Sequence, residues 1–304
     1  MIIRNKGFNL IELMVSILVA SIIVGGLYSL MTSSVVNFGF SKGSAVAGSS
    51  SRRIDVTFNA LLFQTGFVNY LRVMQNPHFM QRQTNNALFE NWVTDQVVAV
   101  QQDPNAEANG SDMLRIRFYG SSVADNVTSG VGNAADGYVF DCIGQPVANN
   151  QEMELIFYVR STGLNCRQND ISHPGHVQTT VIDPNVSHMR IQVGTSVGGA
   201  VGQAGAKSSF YRIADAAIDS AVSGDDSNIP NWTEINLLRY ALVLSVPSGK
   251  KMVKQRPEYV LFPDDTTVKY QVPADAFAKE KNINDSEDRV HRVVNGNVQI
   301  INKL

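Results

Sequence analysis

Few side chains in this sequence stand where they could do chemistry, and the most informative is an acid. From Phe8 to Met31 the chain reads FNLIELMVSILVASIIVGGLYSLM, with Glu12 as its only ionisable group apart from Tyr28. A carboxylate within an apolar helix costs about 2.5–3.5 kcal/mol on insertion scales, so such a residue normally has a partner or a task. No side chain in the segment can pair with it. The one cation that can reach the same depth is an α-amine at Phe8, created by a cut between Gly7 and Phe8. That amine belongs either to the same chain or to a neighbouring copy packed alongside with an axial stagger. Charge pairing of this kind favours assembly in register over simple anchoring.

Other constellations are weaker. Gly194-Thr195-Ser196-Val197-Gly198 has the G-x-S-x-G form, with Asp264 and His291 downstream in the chain order of an α/β-hydrolase. A nucleophile elbow needs a helix directly after it, and Gly199 to Gly205 is a poor helix start, so no catalytic residue is assigned and the protein is not read as an enzyme. Cys142, Cys166, His173 and His176 supply zinc-ligand types, but the short cysteine pair of zinc sites is missing and Pro174-Gly175 signals a turn between the histidines. Asp225-Asp226 and Asp264-Asp265 lack the spacing of a calcium loop and read as solvated turn acids. No metal and no cofactor is expected. The two cysteines lie in a polar, Gly- and Asn-rich stretch, and a Cys142–Cys166 disulfide is their leading reading if that region lies outside the cytoplasm.

The elements that would position these residues follow from periodicity. The apolar run from Phe8 exceeds the roughly 20 residues needed to span a bilayer. Arg4 and Lys6 precede it and no basic residue follows before Lys42, which puts the start in the cytoplasm and all that follows Met31 outside the inner membrane. A secretory signal has an apolar core of only about 7–15 residues. Ile54, Phe58, Leu61 and Leu62 continue an amphipathic helical stripe, which extends the helix to about Phe67 and packs it on a head domain. Gly25, Gly26, Gly39, Gly43 and Gly48 predict local melting or bending.

Beyond residue 75 the helical period gives way to short β-rich runs. Strands are predicted over 96–100, 113–119, 137–140, 153–160, 186–193, 237–246, 258–262 and 290–301. The segment opening at Trp232 reads as a buried strand, and the Gly-rich stretch 194–205 as a mobile loop. The fold class is α+β: a long N-terminal hydrophobic helix packed on a mainly antiparallel sheet. The expected organisation is a leader at 1–7, a membrane and filament-core helix at 8–31, its amphipathic continuation at 32–74, and a periplasmic head at 75–304. Of 304 residues, 25 are basic and 27 acidic; loss of Arg4 and Lys6 with the leader leaves 23 basic, a net charge of −4. With no clustered basic face, nucleic acid is not indicated as a partner.

Lys6-Gly7-Phe8-Asn9-Leu10-Ile11-Glu12-Leu13-Met14-Val15 resembles the class III signal of type IV pilins and type II secretion pseudopilins. The resemblance implies that a prepilin peptidase cuts between Gly7 and Phe8 and methylates the Phe8 amine, and that Phe8 and Glu12 take part in subunit docking. Asn9, where threonine is common, is a minor departure.

In content and order the head resembles that of the PilW minor pilins, through Val186-Ser187-His188-Met189-Arg190-Ile191-Gln192-Val193-Gly194, Leu238 to Ser245, and Arg289 to Val294 with Val298 to Asn302. That resemblance implies a non-enzymatic subunit that joins other minor pilins and the major pilin, primes pilus assembly and sits at or near the tip on the cell surface, where a PilY-type adhesin is a further implied partner. The J-type minor pseudopilin of type II secretion is the alternative; the size of the head leans away from it. An enzyme or adhesin merely anchored by the helix is the rival of another class.

Overall fold

In a computed structural model the described residues are 10–68, 98–103, 110–122, 134–173, 175–197, 207–213, 237–247, 258–271 and 289–300. The first element, α1, is a single helix over Leu10–Phe63, 54 residues and so about 81 Å long. Its first half is exposed apart from a half-buried Thr32, whereas Gly43, Ala47, Ser50, Ile54, Phe58, Leu61 and Leu62 are buried at three- and four-residue steps. One helix thus has an unpartnered apolar half and a half with one buried stripe. The predicted melting at the glycines does not occur: α1 is unbroken from end to end, and Gly43 lies on the buried stripe.

The helix ends at Phe63, earlier than the expected Phe67. Thr65 caps it by donating its Oγ1–H to Leu62 O at 2.6 Å, and Gly66 takes a left-handed φ of 71°. The chain then joins a strand edge: Gly66 N–H donates to Arg117 O at 2.8 Å and Tyr119 N–H to Phe67 O at 2.7 Å.

The strands are β1 Val98–Gln102, β2 Asp112–Tyr119, β3 Glu152–Arg160, β4 Gly163–Asp170, β5 Val177–Asp183, β6 Val186–Val197, β7 Lys207–Ile213, β8 Leu237–Pro247, β9 Glu258–Phe262, β10 Asp265–Gln271 and β11 Arg289–Gln299. The first five form an antiparallel meander in sequence order. A second sheet has the order β11-β8-β6-β7, and β9 and β10 form a separate hairpin. Every pairing among these strands is antiparallel, in accord with the expected α+β class.

The core lies where α1 meets both sheets. The Phe58 ring stands edge-on to Phe157 of β3 at 5.0 Å and to Tyr240 of β8 at 4.9 Å, so one helical side chain ties the two sheets together. β8 is buried on both faces, as its near-continuous apolar run predicts; Trp232 lies outside the described residues.

Four strands, β4, β5, β7 and β10, were not expected, because Asn, Gln, Arg and Asp fill β4 and β5 is largely exposed. The strand predicted over 137–140 is instead a bend. Gly137 has a φ of 81°, and the carboxylates of Asp136 and Asp141 accept the backbone N–H groups of Tyr138, Ile143 and Gln145, bonds that compete with a ladder. Residues 194–197 of the predicted mobile loop continue β6 and pair with β7. Residues 198–205 lie outside the described residues.

Candidate functional site

In the exposed half of α1, the hydroxyls of Ser16 and Ser21 donate to Leu13 O and Leu18 O at 2.9 and 2.8 Å. These serines meet their hydrogen-bonding needs within the helix and can face an apolar medium. Glu12 has no such recourse and no partner among the described residues; it shares an open face with Ile11, Val15, Ser16, Val19, Ala20 and Ile23. Gly7 and Phe8 lie outside the described residues. The helix from Leu10 is long and apolar enough, by length and composition, to cross a membrane.

Polar contacts fasten the second half of α1 to the head. Arg53 forms an ion pair with the wholly buried Asp183 of β5, and Ser50 Oγ accepts from Asn185 Nδ2 at 2.9 Å. The Tyr240 hydroxyl lies 3.2 Å from Asp55 Oδ1 and 3.0 Å from Asn59 Oδ1; burial and the Asp55 charge raise its pKa. At the helix exit the Gln64 side chain donates to Phe140 O at 2.9 Å and accepts from Phe140 N–H at 2.8 Å.

Phe140 belongs to the loop that a disulfide holds in place. Cys142 and Cys166 are joined with a Cα–Cα distance of 6.2 Å, and Cys142 N–H also donates to Gln168 Oε1 at 3.1 Å. The bridge links the loop to β4, and Gln64 links it to α1.

The other constellations do not assemble. Gly194 pairs with Leu237 at one end of β8, whereas His291 pairs with Ser245, eight residues and so roughly 26 Å away. Ser196 lies beyond Gly194 in a strand with no elbow, and Asp264 is bound to Arg239, at 2.7 Å in one of its two contacts. The zinc combination fails because its two sulfurs are bonded to each other, while His173 Nδ1 sits 2.9 Å from Asp170 Oδ2. Asp265, expected as a solvated turn acid, accepts from Gln192 Nε2 at 2.9 Å and from Thr267 N–H at 3.2 Å; Asp225 and Asp226 lie outside the described residues.

Sequence reasoning missed the buried charges of the meander. Arg115 pairs with Glu154 and Arg117 with Glu152, which also accepts the Tyr119 hydroxyl at 2.9 Å. Burial pushes Arg115 down to about 10 and raises Glu152. The signal was present as alternation: Arg115 and Arg117 point to one face of β2, and Glu152 and Glu154 to the same face of β3.

The family description "Prokaryotic N-terminal methylation motif" matches residues 3–28. No curated protein matches the chain. Among solved structures, a type IV-like pilin from Thermus thermophilus superposes with a TM-score of 0.37 at 10% sequence identity, over 83% of this chain and 97% of that one. The motif implies processing by a prepilin peptidase and assembly with other pilins. The prokaryotic N-terminal methylation motif thus overlaps the exposed apolar start of α1, the half that carries Glu12 and runs unbroken into an α+β head.

Proposed function

We propose that the chain is a minor pilin of the PilW type, a non-enzymatic subunit that primes pilus assembly and resides at or near the tip. The mature protein begins at Phe8 after cleavage behind Gly7, and its Phe8 amine is methylated. The domain limits follow: a leader over 1–7, a filament-core helix over 8–31, a helical continuation from 32, and the remainder as a head held in the periplasm before assembly.

The observation that carries this reading is Glu12, a carboxylate with no described partner on the exposed half of α1. An apolar helix outside the membrane must be covered, and helices of neighbouring subunits can cover it while the Phe8 amine of one of them neutralises Glu12. The partners are other minor pilins and the major pilin, with a PilY-type adhesin above them. The unbroken helix supports the reading mechanically, because it transmits the position of the membrane segment to the head.

Mass spectrometry of the mature N-terminus is the direct test. A start at N-methylated Phe8 is expected, and an intact Met1 or a start near Gly48 sinks the proposal. Deletion of the gene is expected to abolish pilus-dependent motility; selective loss of exoprotein secretion would assign the chain to a type II secretion filament instead.

A further inference from the structure

The second sheet turns one face to the main core and the other to the β9–β10 hairpin. Ala241 and Val243 of β8 and Val293 of β11 pack there against Leu261, Phe262, Val268 and Tyr270. No strand pairing connects the hairpin to the sheet among the described residues. A two-stranded hairpin is at best marginally stable alone, so its position depends on this contact.

The two ends of the hairpin are held differently. At the turn, Arg239 grips Asp264 and lies over the Phe262 ring at 4.8 Å, Gln192 Nε2 donates to Asp265 Oδ2 at 2.9 Å, and Asn295 Nδ2 donates to Leu261 O at 2.9 Å. At the open end two imidazoles stand against two phenols, and Ser187 and Arg289 also act on Tyr270. His188 of β6 meets Tyr270 with centroids 4.9 Å apart, and His291 of β11 meets Tyr259 at 5.8 Å.

Both imidazoles sit where a proton is unwelcome. His188 is 2% exposed, and the Nδ1 atoms of both histidines are buried with no hydrogen-bond partner among the described residues. The groups facing them are cations or neutral: Arg190 beside His188 on β6, and Arg289 beside His291 on β11. β8 contributes Ser245, whose Oγ is 3.3 Å from His291 Nε2, and the hairpin contributes Tyr259 and Tyr270. The hairpin's Glu258 carboxylate is engaged outside this cluster with Lys269 at 2.9 Å, and both of those side chains are exposed.

We propose that the β9–β10 hairpin is an acid-released flap: protonation of His188 and His291 detaches its open end, the turn at Asp264 acts as the hinge, and the apolar face formed by Ala241, Val243 and Val293 is bared. Burial and the neighbouring arginines hold His188 down at about 3 and His291 at about 4, so the docked flap resists protons that the released flap accepts at ordinary histidine values. At the turn the Arg239 hydrogen bond holds the Asp264 carboxyl below its ordinary value, so that tie keeps the hairpin attached while its open end leaves.

Hydrogen–deuterium exchange of the full mature chain in detergent micelles, corrected for intrinsic rates, tests this at pH 7 and pH 4.5. Amides of β9 and β10 are expected to lose protection at least tenfold on acidification, while β2 and β3 lose little. Equal loss in both regions would mean general acid unfolding and would overturn the proposal, as would no change in the hairpin. In His188→Gln/His291→Gln the selective loss is expected to disappear with protection at pH 7 retained; a pH response equal to wild type sinks the assignment. Should the double variant not fold, His291→Gln alone is expected to reduce the response, and the wild-type comparison decides by itself.

Discussion

The phenol ring of Tyr240 fills the space where a side chain at Gly296 would stand. The two residues are directly paired across β8 and β11, and a Cβ on Gly296 would run into the ring and its hydroxyl. Because Tyr240 is also fixed by Phe58 and by Asp55 and Asn59 of α1, its ring cannot swing aside. Gly296→Ala is therefore expected to destabilise the head by about 1–3 kcal/mol, read as a lower midpoint in urea unfolding. An unchanged midpoint would show that the ring moves freely.

Glu12 lies 31 residues, or about 46 Å of helix, before Gly43, the first buried position of α1. Glu12→Ala is expected to abolish incorporation into filaments, measured by the amount of the chain in sheared pilus fractions, and to leave head stability within about 0.5 kcal/mol of wild type. Normal incorporation would separate Glu12 from assembly.

The Cys142–Cys166 bridge secures the loop that Gln64 grips. Replacing both cysteines with serine is expected to lower stability by about 2–4 kcal/mol and to increase amide exchange at Phe140 and around Gln64. If exchange rises only near Cys142, the loop does not hold the helix exit.

Acidity should weaken the head through its histidines. His188 and His291 have folded values of about 3 and 4, below the unfolded 6.5, so the unfolded chain binds more protons between them. Their contribution is complete above about pH 6.5 and is lost as pH falls toward 4, by up to about 3 kcal/mol for His291. Glu152 acts with opposite sign, since its raised value favours the folded state at low pH. Comparing wild type with His291→Gln isolates the histidine: the variant's stability should depend less on pH between 4 and 6.5, as measured by thermal melts.

Arg53 covers Asp183, which has no exposed surface. Arg53→Ala is expected to cost about 1–3 kcal/mol by leaving that carboxylate buried without its cation. Asp183→Asn together with Arg53→Ala should recover part of the loss; no recovery in a double-mutant cycle would count against the pair.

The N-terminal helix was legible in the sequence without any tertiary context. An apolar run of sufficient length makes a helix whatever surrounds it, and a lone acid such as Glu12 is conspicuous because every neighbour is apolar. The strong alternating or continuous runs of β2, β3, β6, β8, β9 and β11 were legible for the same reason, since their own side chains define a buried face. Tertiary structure alone decided the rest. β4 is a strand because β3 and β5 flank it, despite its polar residues, and β5 because it borders β4. The stretch at 137–140 lost its ladder to the side-chain bonds of Asp136 and Asp141. Ser196, Asp264 and His291 looked related along the chain, but the pairing of β6, β8 and β11 keeps Ser196 and His291 at opposite ends of a sheet. Register is set by partners distant in sequence, and so is the burial that turns His188 and His291 from ordinary imidazoles into groups that resist a proton.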